Sequence, residues 1–121
     1  MTFTIADLRV ARGCANGTCV GIATIKQKVV IADTKQNTEA RDHIQLTSAQ
    51  WIESVRCVRA GTEFTPESGL QLAQSISGMF ELTSSESAVT LFFSYDEWHL
   101  FIEGVLEGEF DLDLNGQLVP V

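Results

Sequence analysis

Between positions 65 and 121 the sequence contains no lysine or arginine, but it contains ten Asp and Glu residues, a net of −10. All eight bases fall in residues 1–64 beside six acids, a net of +2. A chain so divided repels phosphates over half its length, which disfavours direct nucleic-acid binding. Cysteine is scarce too: Cys14, Cys19 and Cys57 are too few and too unevenly placed for a disulfide framework, so reduced thiols are the expectation. With no C-x2-C pair, these residues do not combine with His43 and His99 into a zinc pattern. No run approaches the ~20 apolar residues that span a bilayer, and Met1 to Asp7 lacks the basic and apolar regions of a secretory leader. A soluble, cytoplasmic protein without membrane association is expected. Nucleophile elbow, phosphate-cradling glycine loop and helical His pair are all missing. Neither enzyme activity nor a metal or cofactor is expected.

What the sequence does have is an internal repeat. Leu46-Thr47-Ser48-Ala49-Gln50-Trp51 recurs as Phe93-Ser94-Tyr95-Asp96-Glu97-Trp98, 47 residues on. In each copy a hydroxyl residue, Thr47 or Ser94, stands three places before Gln50 or Glu97, the capping-box arrangement at a helix N-terminus. Trp51 and Trp98 then open the apolar faces of two helices as core anchors. One copy alone, about 50 residues, buries too little surface to be stable, so a single domain spanning 1–121 with one shared core is expected.

The first copy reads as three strands and a helix. Alternation in Phe3, Ile5, Leu8 and Val10 suggests a leading strand, followed by an Asn16-Gly17 turn. Thr18–Ile25 and Val29–Asp33 read as antiparallel neighbours, joined through Lys26-Gln27-Lys28. His43–Leu46 delivers the chain to the cap at Thr47. A helix over 48–60 carries Trp51, Val55 and Val58 on one stripe and stops at Gly61. In the second copy Leu70-Gln71-Leu72-Ala73 corresponds to Val20-Gly21-Ile22-Ala23 at an offset of 50, and Thr83 to Thr34 at 49. Shrinking offsets mean that loops were shortened while elements survived. Val89, Leu91 and Phe93 make its third strand; Trp98, Phe101, Ile102 and Val105 face the core from its helix, which Gly108 ends. Residues 111–121 read as a hairpin about Asn115-Gly116, with Pro120 marking an edge and the N-terminal strand a candidate neighbour. The fold class is therefore α+β: two β-β-β-α repeats, about 14–64 and 69–111, each a small antiparallel sheet covered by one helix and related by a pseudo-twofold.

Thr18-Cys19-Val20-Gly21-Ile22-Ala23, Val29-Val30-Ile31-Ala32-Asp33-Thr34-Lys35, Leu46 to Trp51 and Arg59-Ala60-Gly61-Thr62-Glu63-Phe64 together resemble the actinobacterial domain of unknown function 397. That family reads N-C-V-E-V-A, V-A-V-R-D-S-K, F-T-P-A-E-W, then a helix ending in A-G-E-F-D. The second copy matches through Ser94 to Trp98 and Glu107-Gly108-Glu109-Phe110-Asp111. Cys19, Asp33, Lys35, Trp51 and Trp98 carry the family motifs, while Gly21, Ala32 and Ser48 replace its Glu, Arg and Pro. The resemblance implies a small regulatory protein encoded beside a helix-turn-helix transcription regulator of the Xre type, which it binds and modulates. Asp33 and Lys35 would support a turn, and Cys19 would pack beneath the sheet.

The residues add a candidate surface for such a partner. At about 100° per residue, Asp96, Glu103 and Glu107 share the helix face opposite Trp98 and Val105. Glu109 and Asp111 crowd the same helix C-terminus, where the macrodipole already disfavours negative charge. A basic docking partner would account for that arrangement through complementary fields. Arg56 stands 47 residues before Glu103, which suggests a cross-repeat or intersubunit pair. Asp111 to Gly116 opens like a calcium loop, but the acid at its twelfth position would be residue 122. The alternative reading is a self-associating developmental scaffold, a homodimer formed through an exposed strand edge without DNA contact.

Overall fold

A computed structural model describes residues 7–14, 19–34 and 42–120. The order is β1 (Val20–Ile25), β2 (Lys28–Asp33), β3 (His43–Thr47), α1 (Ser48–Ala60), then β4 (Leu70–Gln74), β5 (Phe80–Ser84), β6 (Thr90–Phe93) and α2 (Tyr95–Leu106). Two three-stranded antiparallel sheets, β1-β2-β3 and β4-β5-β6, are each followed by a helix, as the repeat predicts. A 3-10 turn at Pro66–Ser68 leads into β4. The proposed leading strand survives only in part: Phe3 and Ile5, like the Asn16-Gly17 turn and Lys35, lie outside the described residues.

Both capping boxes form. Thr47 Oγ1 accepts from the Gln50 N–H at 3.1 Å, and Gln50 Oε1 accepts from the Thr47 N–H at 2.9 Å. Ser94 and Glu97 repeat this at 3.2 and 2.8 Å. Each box satisfies two backbone donors that a helix start leaves orphaned and contributes about 1 kcal/mol. α1 closes at Gly61, whose φ of +69° suits glycine. α2 ends one residue earlier than the sequence suggests, at Leu106, and Gly108 (φ +81°) then turns the chain back.

The alternation along the strands decides what faces inward. Ile22, Ile31, Ile44 and Leu46 from one sheet and Leu70, Leu82, Leu91 and Phe93 from the other meet Trp51, Val55, Trp98, Phe101, Val105 and Phe110 in one buried cluster. Both repeats thus share a core. Trp51, Trp98, Phe101 and Phe110 form its aromatic centre, with Trp51–Phe101 centroids at 6.2 Å, Trp98–Phe101 at 5.2 Å and Phe101–Phe110 at 5.4 Å. The Trp51 indole N–H donates to the Phe110 carbonyl at 2.9 Å, tying the first helix to the end of the second. A second, smaller cluster of Ala23, Val30 and Ala32 lies on the outer face of the first sheet, capped by Leu8 and Ile25.

Three expectations need correction. Cys14 and Cys19 are joined in a disulfide, Cα atoms 6.5 Å apart, because a separation of five residues lets the two Cα atoms come within disulfide reach; Cys57 is a free, buried thiol. Arg56 does not reach toward Glu103 but folds onto Glu53 of its own helix, at 2.7 and 2.6 Å, a shorter excursion that costs less side-chain entropy. The described part of the N-terminal segment has its backbone pairing with β1, where Arg9 exchanges both hydrogen bonds with Ile22, at 2.7 and 2.9 Å, and it meets the hairpin through the Arg9 guanidinium, which donates to the Val119 carbonyl. That hairpin forms as expected about Asn115-Gly116, with Leu112 opposite Leu118. Asp113 Oδ1 accepts from the Asn115 and Gln117 N–H groups and so stabilises the turn. Among the described residues no helix is long and apolar enough to cross a membrane.

Candidate functional site

The five acidic residues proposed for docking divide into two groups. Asp96 and Glu103 stand exposed on the outer face of α2, and among the described residues neither is ion-paired. Glu107 is exposed beside them, 3.5 Å from the Arg12 guanidinium. Glu109 and Asp111 belong to the fold instead. Glu109 is 2 % exposed and accepts from the Arg12 N–H at 2.8 Å, with the Arg12 guanidinium at 3.3 Å. Burial pushes its carboxyl pKa up, but the hydrogen bond from the Arg12 backbone and the interaction with the Arg12 guanidinium outweigh it, and the net direction is downward. Asp111 is half-buried and paired with Arg59 at 2.7 Å. The chain turns at Gly108 and carries both off the helix on which their neighbours lie, Glu109 inward and Asp111 onto Arg59, so both carboxylates are already held within the fold.

The motif residues occupy structural positions. Cys19 is buried and disulfide-bonded, and its backbone N–H donates to the Thr34 hydroxyl at 2.7 Å. Asp33 is buried at the end of β2, opposite Val20. Trp51 and Trp98 are 1 % and 4 % exposed, core anchors as expected. Among the described residues no cluster of His, Cys, Asp and Glu is arranged to hold a metal ion.

A second feature was not found from the sequence. An open groove of about 670 Å³ runs between β4, the C-terminal end of α1 and the side of α2. Its apolar lining comes from Leu72 and Phe80 of the sheet, Val58 and Phe64 in and beyond α1, and Trp98 and Ile102 of α2. β4 is an edge strand. Gly69 O accepts from Ser85 N and Met79 O from Ser75 N, and in an antiparallel ladder that alternation directs the backbone of Gln71 and Ala73 toward β5. The N–H and C=O of Leu72 and Gln74 therefore point outward, away from the sheet. β4 carries no charge, proline or bulge, the devices that usually guard such an edge. Residues 57–62, which stand where a segment equivalent to 7–12 would be, belong mostly to α1 and do not lie along β4.

Set against this geometry, the comparisons with known proteins add no relative: no protein-family model, curated protein or solved structure matches the chain.

Proposed function

We propose that this chain is a small regulatory protein that binds and modulates a helix-turn-helix transcription regulator, laying the α2 face that bears Asp96, Glu103 and Glu107 against the regulator's basic surface. The observation that carries the reading is how the fold distributes its few cations. Arg56 is spent on Glu53, Arg59 on Asp111 and Arg12 on Glu107 and Glu109, while Asp96 and Glu103 hold exposed charge without a counter-ion among the described residues. A solvated acidic face of this kind raises the encounter rate with a basic partner and selects against acidic ones. The resemblance to the actinobacterial domain of unknown function 397 supports the same partner class and supplies its regulatory sense.

The test is capture of partners from a lysate of the source cells by the immobilised chain, at low and high salt, with the bound proteins identified by mass spectrometry. A helix-turn-helix protein recovered at low salt, released by high salt and lost to an Asp96→Asn/Glu103→Gln variant is the expected result. Retention of that protein by the variant would remove the acidic face from the account.

A further inference from the structure

The pseudo-twofold makes the two sheet edges directly comparable, and they differ in one respect: the edge of β1 is filled, whereas no described residue pairs with the outer edge of β4. At β1, Ile22 is 0 % exposed and both of its outward backbone groups are bonded to Arg9. Its counterpart Leu72 is 39 % exposed, with the N–H and C=O that would make the equivalent bonds facing the groove. The end of α2 supplies Glu109, whose carboxylate holds the backbone and side chain of Arg12, and whose carbonyl accepts from the Arg9 guanidinium at 2.9 Å. By the motif Gly-x-Glu-Phe against Gly-Glu-Phe, the end of α1 supplies Glu63 in that role; Glu63 is exposed and among the described residues holds nothing. Trp51 donates its indole N–H to the Phe110 carbonyl, whereas the indole N–H of Trp98, only 4 % exposed and lining the groove, has no acceptor among the described residues. Phe110 is 1 % exposed, while its counterpart Phe64 is only half-buried.

The comparisons at Leu72 and Glu63 show the same gap, and the first repeat shows what fits it. We infer that the β4 edge is a binding site for an extended segment of a partner protein, added as a strand beside β4, with one arginine opposite Leu72 and a second three residues later at Glu63. The template is Leu8-Arg9-Val10-Ala11-Arg12, which does this at β1. Backbone hydrogen bonds to Leu72 and Gln74 would supply affinity, and Glu63 the preference for a basic sequence. Residues 61–65 run straight from α1 into the 3-10 turn, and no described segment of the chain lies along the groove. The site is separate from the exposed face of α2 and does not depend on what binds there.

The probe is a synthetic peptide with the sequence of residues 7–13, titrated into the full chain and followed by backbone amide chemical shifts. Saturable binding with shifts centred on Glu63, Phe64, Leu72 and Gln74 is expected, and a peptide with both arginines replaced by glutamine should bind at least tenfold more weakly. Glu63→Gln, a fully solvent-facing change that leaves the fold intact, should weaken the peptide about tenfold, equivalent to about 1.4 kcal/mol. Leu72→Pro removes the outward N–H together with the Leu72 side chain in the groove, at a position where edge strands tolerate proline, and should abolish binding; Leu72→Ala, which keeps the N–H, should retain part of it. The inference is overturned by absence of saturation, by shifts confined to Arg9 and Ile22, which would mean that the peptide displaces the chain's own segment, or by an affinity indifferent to Glu63→Gln. It is equally overturned if the Leu72 shifts depend on protein concentration without peptide, since β4 would then pair with β4 of a second copy.

Discussion

Gly104 lies in the last turn of α2, where general helix energetics favour replacing it with alanine by up to about 0.5–1 kcal/mol. The structure reverses that sign. A Cβ at position 104 would stand 2.7 Å from Phe110 Cε2 and 3.0 Å from the Ala11 Cβ, closer than such atoms tolerate. Neither neighbour has room to retreat: Phe110 is 1 % exposed and stacks near Phe101, and Ala11 is anchored by the flanking bonds of Arg9 to Ile22 and Arg12 to Glu109. Overpacking of this kind costs about 1–3 kcal/mol, which exceeds the propensity gain. Gly104→Ala should therefore lose about 1 kcal/mol net, and with a urea m-value of about 1.5 kcal/mol/M its unfolding midpoint should fall by about 0.7 M at unchanged slope. In a Phe110→Leu background the penalty should shrink, since the closest contact is gone. A midpoint raised by Gly104→Ala would refute the close packing of the N-terminal segment, Phe110 and α2 on which the filled β1 edge depends.

Two further predictions concern titration and thiols. Hydrogen bonds from Arg56 and Thr65 hold the Glu53 carboxyl down to about 2 from an ordinary 4.5. A pKa lowered by folding gives stability that is complete above the unfolded value and is lost as pH falls toward the folded one. The urea midpoint should accordingly drop between pH 4.5 and about 2, more steeply in the wild type than in Glu53→Gln; identical profiles would contradict the assignment. In denaturant without reductant, thiol titration should count one reactive group, Cys57, and three after reduction; three in both conditions would contradict the Cys14–Cys19 bond.

Much of the architecture was legible because the signals were local and duplicated. The cap at Thr47 and the stop at Gly61 bound α1 at the residues expected, and the 47-residue offset located its twin, since caps act through hydrogen bonds within one helical turn. Exposure of Asp96 and Glu103 followed from helical periodicity alone. The sequence was silent on what depends on the chain's return path. Glu109 and Asp111 read as a continuation of the acidic helix face, but a left-handed Gly108 sends them inward to Arg12 and Arg59, bases almost 100 and about 50 residues away in sequence. The same limit hid the β4 groove: an unfilled edge is defined by which segment fails to reach it, a tertiary fact that no spacing within β4 encodes.

The central claim, that uncompensated carboxylates on α2 dock a basic regulator, is tested most directly by the affinity of the captured helix-turn-helix protein for the purified chain at about 50 and about 300 mM salt, a range over which exposed charges become strongly screened. Each rim charge contributes up to about 1 kcal/mol, so Asp96→Asn/Glu103→Gln should weaken binding about five- to tenfold at low salt and flatten the salt dependence. An affinity that neither salt nor the double substitution changes would contradict the account.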